Sequence, residues 1–154
     1  MLALLLTLSQ PAAADTPIRF PGNVGLGVAL GVWQNGASVK YFINDRNALE
    51  GTLGLYGLGH GYTWLGLSGD YLVEVDSVYD DRLFEVAPCF GGGFQFATGG
   101  GDGAFGVHGT AGIELNLEDF PLDVVLEYRP GFYVMPATQV DLFNLGLHVR
   151  YYPF

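Results

Sequence analysis

The fold is decided by residues 24–33, which read VGLGVALGVW. Large apolar side chains stand at every second position from Val24 to Val32, and small residues occupy the positions between them as far as Gly31. Side chains of a β-strand alternate between the two sides of the sheet. The stretch therefore predicts a strand with one large apolar face and one face of little bulk.

The same alternation recurs along the rest of the chain and predicts eight strands in all. In each of them one face is apolar, and the opposite face carries glycine or charged and polar residues. Between the first two strands, Gln34-Asn35-Gly36 predicts a tight hairpin turn. Pro88 predicts a bulge or a kink in the fifth strand, because proline lacks the donor that a central strand needs. The predicted strands are Val24–Trp33, Ala37–Ile43, Leu49–Tyr56, Tyr62–Glu74, Leu83–Phe96, Phe105–Leu115, Leu122–Val134 and Phe143–Tyr151.

The volume of the two faces indicates which of them points inward. Strands of about ten residues match the length of a tilted strand that crosses a bilayer. An eight-stranded barrel has room only for side chains that fill it, and the face with Phe84, Phe90, Phe94 and Phe96 would fit there poorly. We therefore predict an all-β, eight-stranded antiparallel up-and-down transmembrane barrel with short loops. Periodicity alone leaves open a soluble barrel or sandwich with an apolar interior.

Composition excludes several classes of protein. The chain has 154 residues, of which 49% are apolar, so it predicts one folded domain. A formal charge of −10 argues against nucleic-acid binding and against a polybasic membrane anchor. The single cysteine, Cys89, allows no disulfide within the chain and fits no structural zinc spacing. Without 18 consecutive apolar residues, a helical inner-membrane protein is excluded.

The first residues have the pattern of an export signal. Residues 1–8 are almost wholly apolar, and Ala12-Ala13-Ala14 forms an A-x-A pattern ahead of Asp15. We predict a signal peptide over 1–14, a leader over 15–22 and the barrel over 23–154.

Several short motifs carry a resemblance to a known family. They are Lys40-Tyr41-Phe42, Gly69-Asp70-Tyr71-Leu72, Pro121-Leu122-Asp123, residues 126–131 (LEYRPG) and residues 146–152 (GLHVRYY). In this order they resemble the small OmpA/OmpX-like outer-membrane β-barrels, especially a short-looped group. The resemblance implies the outer membrane of a Gram-negative cell, outer-membrane lipid as a partner, and recognition of the C-terminal strand by the outer-membrane assembly machinery. Alternation in that strand reaches Tyr151, but Pro153 places Phe154 out of phase.

The inward positions predict a polar network. A charge in a narrow lumen must be paired, hydrated or neutralised. We expect Arg129 and Arg150 to bridge Glu127 and Glu114, with both strand histidines nearby. A packed plug is favoured over a conduction path because eight strands enclose little space. The residues predicted to form this structural network are Lys40, Asp70, His108, Glu114, Glu127, Arg129, His148 and Arg150.

Enzymatic chemistry has weaker support in the sequence. A hydrolase needs a serine beside a histidine base and an orienting acid, within reach of lipid. Residues 99–103 lack the lysine and the helix of a phosphate-binding loop. We therefore predict a non-enzymatic barrel without cofactor or metal, in a structural or minor surface-interaction role; its oligomeric state stays open. The alternatives, in order, are a narrow pore, a lipid-modifying enzyme and a soluble secreted barrel for an apolar ligand. The candidate residues for hydrolysis are Ser38, Ser68, Asp70, His108 and His148, all inward, and His60, in a loop.

Overall fold

A computed structural model of the chain describes residues 18–32, 34–56, 63–117, 120–135 and 138–153. These residues form an all-β structure. Its strands are β1 (Val24–Gly31), β2 (Gln34–Asn44), β3 (Asn47–Tyr56), β4 (Trp64–Glu74), β5 (Tyr79–Asp80), β6 (Phe84–Gly99), β7 (Asp102–Leu117), β8 (Leu122–Tyr128), β9 (Gly131–Met135), β10 (Gln139–Asp141) and β11 (Leu145–Tyr151). No helix in the described part of the chain is long and apolar enough to cross a membrane.

The sheet closes on itself. Each neighbouring pair is antiparallel, and β1 pairs both with β2 and with the last strand, β11. Strands β8 and β9 follow one another along β7, and β5 is a short addition to β6. The predicted closed eight-stranded antiparallel barrel is thereby confirmed.

We call the two ends of the barrel proximal and distal. The proximal end is the one that holds Asn23, the turn between β2 and β3, and Tyr152. The distal end is the one that holds the turn between β6 and β7. At the distal turn, Gly100 and Gly101 have φ angles of 63° and 94°. Two successive positive φ values form the hairpin turn that suits the twist of antiparallel strands, and glycine adopts them without steric cost. The connection between β6 and β7 is therefore a tight turn.

The predicted hairpin turn at Gln34-Asn35-Gly36 is wrong, because these residues belong to β2. Gly36 pairs with Ala29, and the Asn35 side chain holds the end of β1. Its Oδ1 accepts from the Gly31 N–H at 3.3 Å, and its Nδ2 donates to the Gly31 carbonyl at 3.1 Å. The asparagine thus caps the adjoining strand.

The bulge predicted at Pro88 is also wrong. Strand β6 pairs with β7 in continuous register from Phe84 to Gly99, with Pro88 opposite Ile113. The carbonyl of Pro88 accepts from the Val75 N–H at 2.9 Å, beyond the end of β4. An N–H and a C=O of one strand residue point to the same side, so the donor that proline lacks would face this connection and not a ladder position.

The interruption lies in the seventh predicted strand. Arg129 and Pro130 separate β8 from β9, and the Arg129 N–H donates to the Asn144 carbonyl at 2.8 Å. Beyond this point β9 continues along β7 and pairs with β10. The alternation of Asp123, Val125 and Glu127 continues through this step, so the Arg129 side chain still faces the interior.

Candidate functional site: the charged interior

Side-chain alternation carries charged residues from opposite walls of the barrel into its interior. The buried side chains include three basic residues and seven acidic ones, together with two histidines. The basic residues are Lys40, Arg129 and Arg150; the acidic residues are Glu50, Asp70, Glu74, Glu85, Glu114, Asp123 and Glu127; the histidines are His108 and His148. Buried charges of this kind persist only where partners offset their loss of hydration.

Glu50 stands between the two interior arginines. One of its carboxylate oxygens accepts from Arg129 Nη2 and the other accepts from Arg150 Nη1. Arg129 Nε also donates to Glu127 Oε2 at 2.6 Å. Arg150 Nε donates to both oxygens of Asp123 at 3.1 Å. One carboxylate on β3 therefore links the chain at Arg129 to β11.

Asp70 extends this cluster to β4 and β7. Its Oδ1 lies 2.6 Å from His108 Nε2 and accepts from Thr110 Oγ1 at 2.8 Å. Its Oδ2 lies 3.7 Å from Arg129 Nη2. Arg129 Nη1 donates to Gln34 Oε1 at 3.3 Å, which connects the cluster to β2 as well.

His148 lies beside a serine and two carboxylates. Its Nδ1 is 3.0 Å from Ser38 Oγ and 3.5 Å from Glu50 Oε1, and its Nε2 is 3.5 Å from Glu127 Oε2. Ser38 is only 3% exposed. A serine, a histidine and an acid therefore meet inside the barrel, away from its outer surface.

A second cluster lies nearer the proximal end. Lys40 Nζ contacts Glu114 Oε2 and lies 2.7 Å from Glu74 Oε1. The Tyr152 hydroxyl donates to Asp123 Oδ2 at 2.7 Å, and burial raises its pKa well above the usual range, so that it stays a donor. The two contacts of Lys40 join β2 to β4 and β7 on the proximal side of the arginine cluster.

The interior contains little free space where the structure describes it near these groups. A cavity of about 10 Å³ lies at the distal side and is lined in part by Gln34, Arg129, Asn144 and His148. That volume accommodates about one water molecule. Beside Arg129 and His148 the side chains therefore leave room for about one water molecule.

Among the described residues, two groups of buried side chains could present metal ligands. They are Glu50, Glu127 and His148, and Glu74, Cys89 and Glu114, with the ligand atoms of each group within 4.8 Å of one another. In the first group Arg129 and Arg150 contact the carboxylates, and in the second Lys40 does so. The positive charge that a metal would supply already comes from the chain.

All eight residues that the sequence places in the network are buried. The expected pair of Arg129 with Glu127 is present, whereas Glu114 pairs with Lys40 and not with an arginine. Arg150 lies opposite Asp123 in the ladder of β11 and β8, which explains why Arg150 pairs with Asp123 and leaves Glu114 to Lys40. Sequence reasoning left Glu50 and Asp123 out of the network, although the strand register could have identified Asp123.

The hydrolase candidates that the structure describes do not form one accessible site. Ser68 Oγ accepts from Gln34 Nε2 at 3.0 Å, while Ser38 lies against His148. His60 lies outside the described residues.

Comparison with known proteins adds no relative. No protein-family model matches the chain, and neither the curated proteins nor the solved structures include a match.

Proposed function

We propose that this chain is an integral outer-membrane β-barrel protein of a Gram-negative cell, similar to the small OmpA/OmpX-like barrels, with a structural or minor surface-interaction role. The observation that carries the proposal is the inversion of the barrel. Leu26, Ile113 and Leu126 are 55%, 58% and 57% exposed, whereas Lys40 and Arg150 are fully buried.

Water would disfavour such a surface. Apolar area exposed to water costs about 25 cal/mol per Å², and soluble monomers rarely expose large continuous apolar patches. Here exposed Leu, Val, Ile, Phe and Tyr side chains lie on strands around the whole barrel. In hydrocarbon the same surface is favourable, and closure leaves few backbone groups without partners.

A soluble barrel for an apolar ligand requires the opposite arrangement. Its ligand would need an apolar lumen, but the described interior is filled by ion pairs such as those of Glu50 with Arg129 and Arg150. The inversion therefore favours the membrane protein over this alternative.

The filled interior supports a plug over a pore. Ion pairs connect opposite walls of the barrel, and the described cavity beside them holds about one water molecule. We expect no steady single-channel current from the protein in planar bilayers. Such currents would favour the narrow pore.

The proposal includes no enzymatic activity. The serine and histidine that meet, Ser38 and His148, face the lumen and are almost fully buried. An acyl chain of a surrounding lipid would not reach them.

The proposed partners of the protein are outer-membrane lipid and, through β11, the assembly machinery that inserts barrels.

Fractionation of the producing cell tests the proposal. We expect the protein in the outer-membrane fraction, extracted only by detergent, and migrating differently on a gel before and after heating, because a closed barrel resists unfolding in detergent. Recovery of folded protein from the soluble periplasmic fraction without detergent would contradict the membrane assignment.

A further inference from the structure

The segment before β1 turns back into the proximal mouth of the barrel. Ile18 is fully buried and belongs to an apolar cluster whose other members come from four walls of the barrel. They are Phe42 on β2, Ala48 on β3, Leu72 on β4 and Tyr152 after β11. Ile18 therefore belongs to a buried cluster that joins four walls, so its side chain lies inside the mouth of the barrel and not along its rim.

Backbone hydrogen bonds fix the other end of this segment to β2. The Gly22 N–H donates to the Phe42 carbonyl at 2.8 Å, and the Phe42 N–H donates to the Asn23 carbonyl at 3.0 Å. The Asn23 side chain closes the turn by donating to the Ile18 carbonyl at 2.7 Å. The segment is therefore held in place before the first strand begins.

Arg19 crosses to the opposite wall. Its Nη1 donates to the Val75 carbonyl at 3.1 Å, and its guanidinium lies 3.6 Å from Glu74 and 3.9 Å from Glu85. Burial alone lowers the pKa of this guanidinium, but Glu114, Glu74 and Glu85 raise it above the ordinary value. The segment thus brings a fixed positive charge to a mouth rich in carboxylates.

We infer that residues 18–23 are a built-in plug of the proximal mouth, with an apolar anchor at Ile18 and an electrostatic anchor at Arg19. Withdrawal of the plug would expose a vestibule lined by Glu74, Glu85 and Glu114. With Arg19 gone, the carboxylates of this vestibule would attract cations and repel anions. The inference concerns the mouth of the barrel and does not depend on where the barrel resides.

Cys89 is a reporter for this mouth. It is the only cysteine of the sequence, it is fully buried, and its sulfur lies within 4.8 Å of ligand atoms of Glu74 and Glu114. The test measures the rate at which a small cationic methanethiosulfonate modifies Cys89 in the full chain, folded in detergent micelles. The variants are Ile18→Ala and Arg19→Ala, and the matched control is Phe20→Ala, since Phe20 is 41% exposed in the same segment. A gel shift on heating shows that each variant is folded.

We expect slow modification of the parent chain and of Phe20→Ala. Ile18→Ala should react about tenfold faster or more, because truncation of a buried isoleucine favours the open mouth. Arg19→Ala should also react faster, and it should favour the cationic reagent over an anionic one. Equal rates for folded Ile18→Ala and Phe20→Ala would overturn the inference, as would a parent rate equal to that in denaturant.

Trypsin provides a second test that needs no variant. Arg19 is held in the mouth, whereas Arg82 lies exposed in the connection between β4 and β6 at the same end. In micelles we expect cleavage after Arg82 while the bond after Arg19 stays intact. Cleavage after Arg19 before Arg82 would show that the segment leaves the mouth freely. Both tests use protein in micelles, so their outcome would stay the same even if the proposed outer-membrane location were wrong.

Discussion

The two faces of β11 differ in chemistry along their whole length. Leu147 and Tyr151 face outward and are 37% and 43% exposed, whereas His148 and Arg150, between them along the strand, are almost fully buried among polar groups. One strand therefore serves two environments. The outer face is apolar and exposed, and the inner face depends on ionic partners supplied by other strands.

Because of this difference, mutations on the two faces should lower the stability of the protein for different reasons. An inner charge that loses its partner stays buried, so the loss is independent of what surrounds the barrel. An outer residue made charged is penalised only where hydrocarbon surrounds it.

The largest effect is expected inside, from Arg150→Ala. The change leaves Asp123 without its arginine and removes one of the two arginines of Glu50. Uncompensated buried charge costs about 3–5 kcal/mol, and urea unfolding in detergent should show this loss. The matched control is Arg46→Ala, whose pair with Asp76 is exposed and contributes about 1 kcal/mol or less. Equal losses for the two variants would contradict the interior network.

A charge on the outer face is expected to come next. In lipid bilayers, Leu126→Arg should lower the free energy of unfolding by about 2–4 kcal/mol if position 126 lies near the midplane. Val78→Arg serves as the control, because Val78 is 70% exposed in the connection between β4 and β5. If Leu126→Arg were as mild as Val78→Arg, the outer face would not lie in hydrocarbon.

Two glycines, one on the inner face and one on the outer face, differ in the space that surrounds them. A Cβ added at inward Gly27 would lie 1.8 Å from the Val149 carbonyl oxygen, whereas at outward Gly109 it would lie 4.0 Å from the Gly91 carbonyl oxygen. Overpacking costs about 1–3 kcal/mol, so Gly27→Ala should lose that much stability in urea unfolding. Gly109→Ala should change it by about 0.5 kcal/mol or less; the reverse order would refute the close approach of β1 and β11.

The smallest effect is expected from Ser38→Ala. Loss of the contact with His148 should cost about 1 kcal/mol, the usual contribution of one hydrogen bond. Thr98→Ala, which removes an exposed hydroxyl bound to the Asp102 carbonyl, should stay within about 0.5 kcal/mol. The same unfolding measurement compares them, and a Ser38→Ala variant as stable as Thr98→Ala would remove Ser38 from the network.

The strand pattern could be predicted because the signal is local. Alternation depends only on the residues of one strand, so it identified the inward positions of Lys40, Glu127 and Arg150 before any pairing was known. The Asn-Gly motif predicts a turn at Gln34-Asn35-Gly36, but the Asn35 side chain binds the end of β1 instead.

The ion pairs were harder to predict because they join strands that are distant in sequence. Glu50 meets Arg150 across the lumen, and this contact depends on the tilt and register of the closed barrel. Arg129 faces inward by the same alternation, but its contact with Glu50 on β3 also depends on the closed barrel. Membrane location and the signal peptide stay predictions.

Accessibility of a spin label on the outer face tests the central proposal most directly. A label at Leu126→Cys, in a Cys89→Ala background, is compared in lipid bilayers with one at Val78→Cys. We predict that the label at 126 collides often with oxygen, which concentrates in hydrocarbon, and rarely with a water-soluble nickel chelate, and that the label at 78 shows the reverse. Equal access of the nickel chelate to both labels would contradict a lipid-facing outer surface.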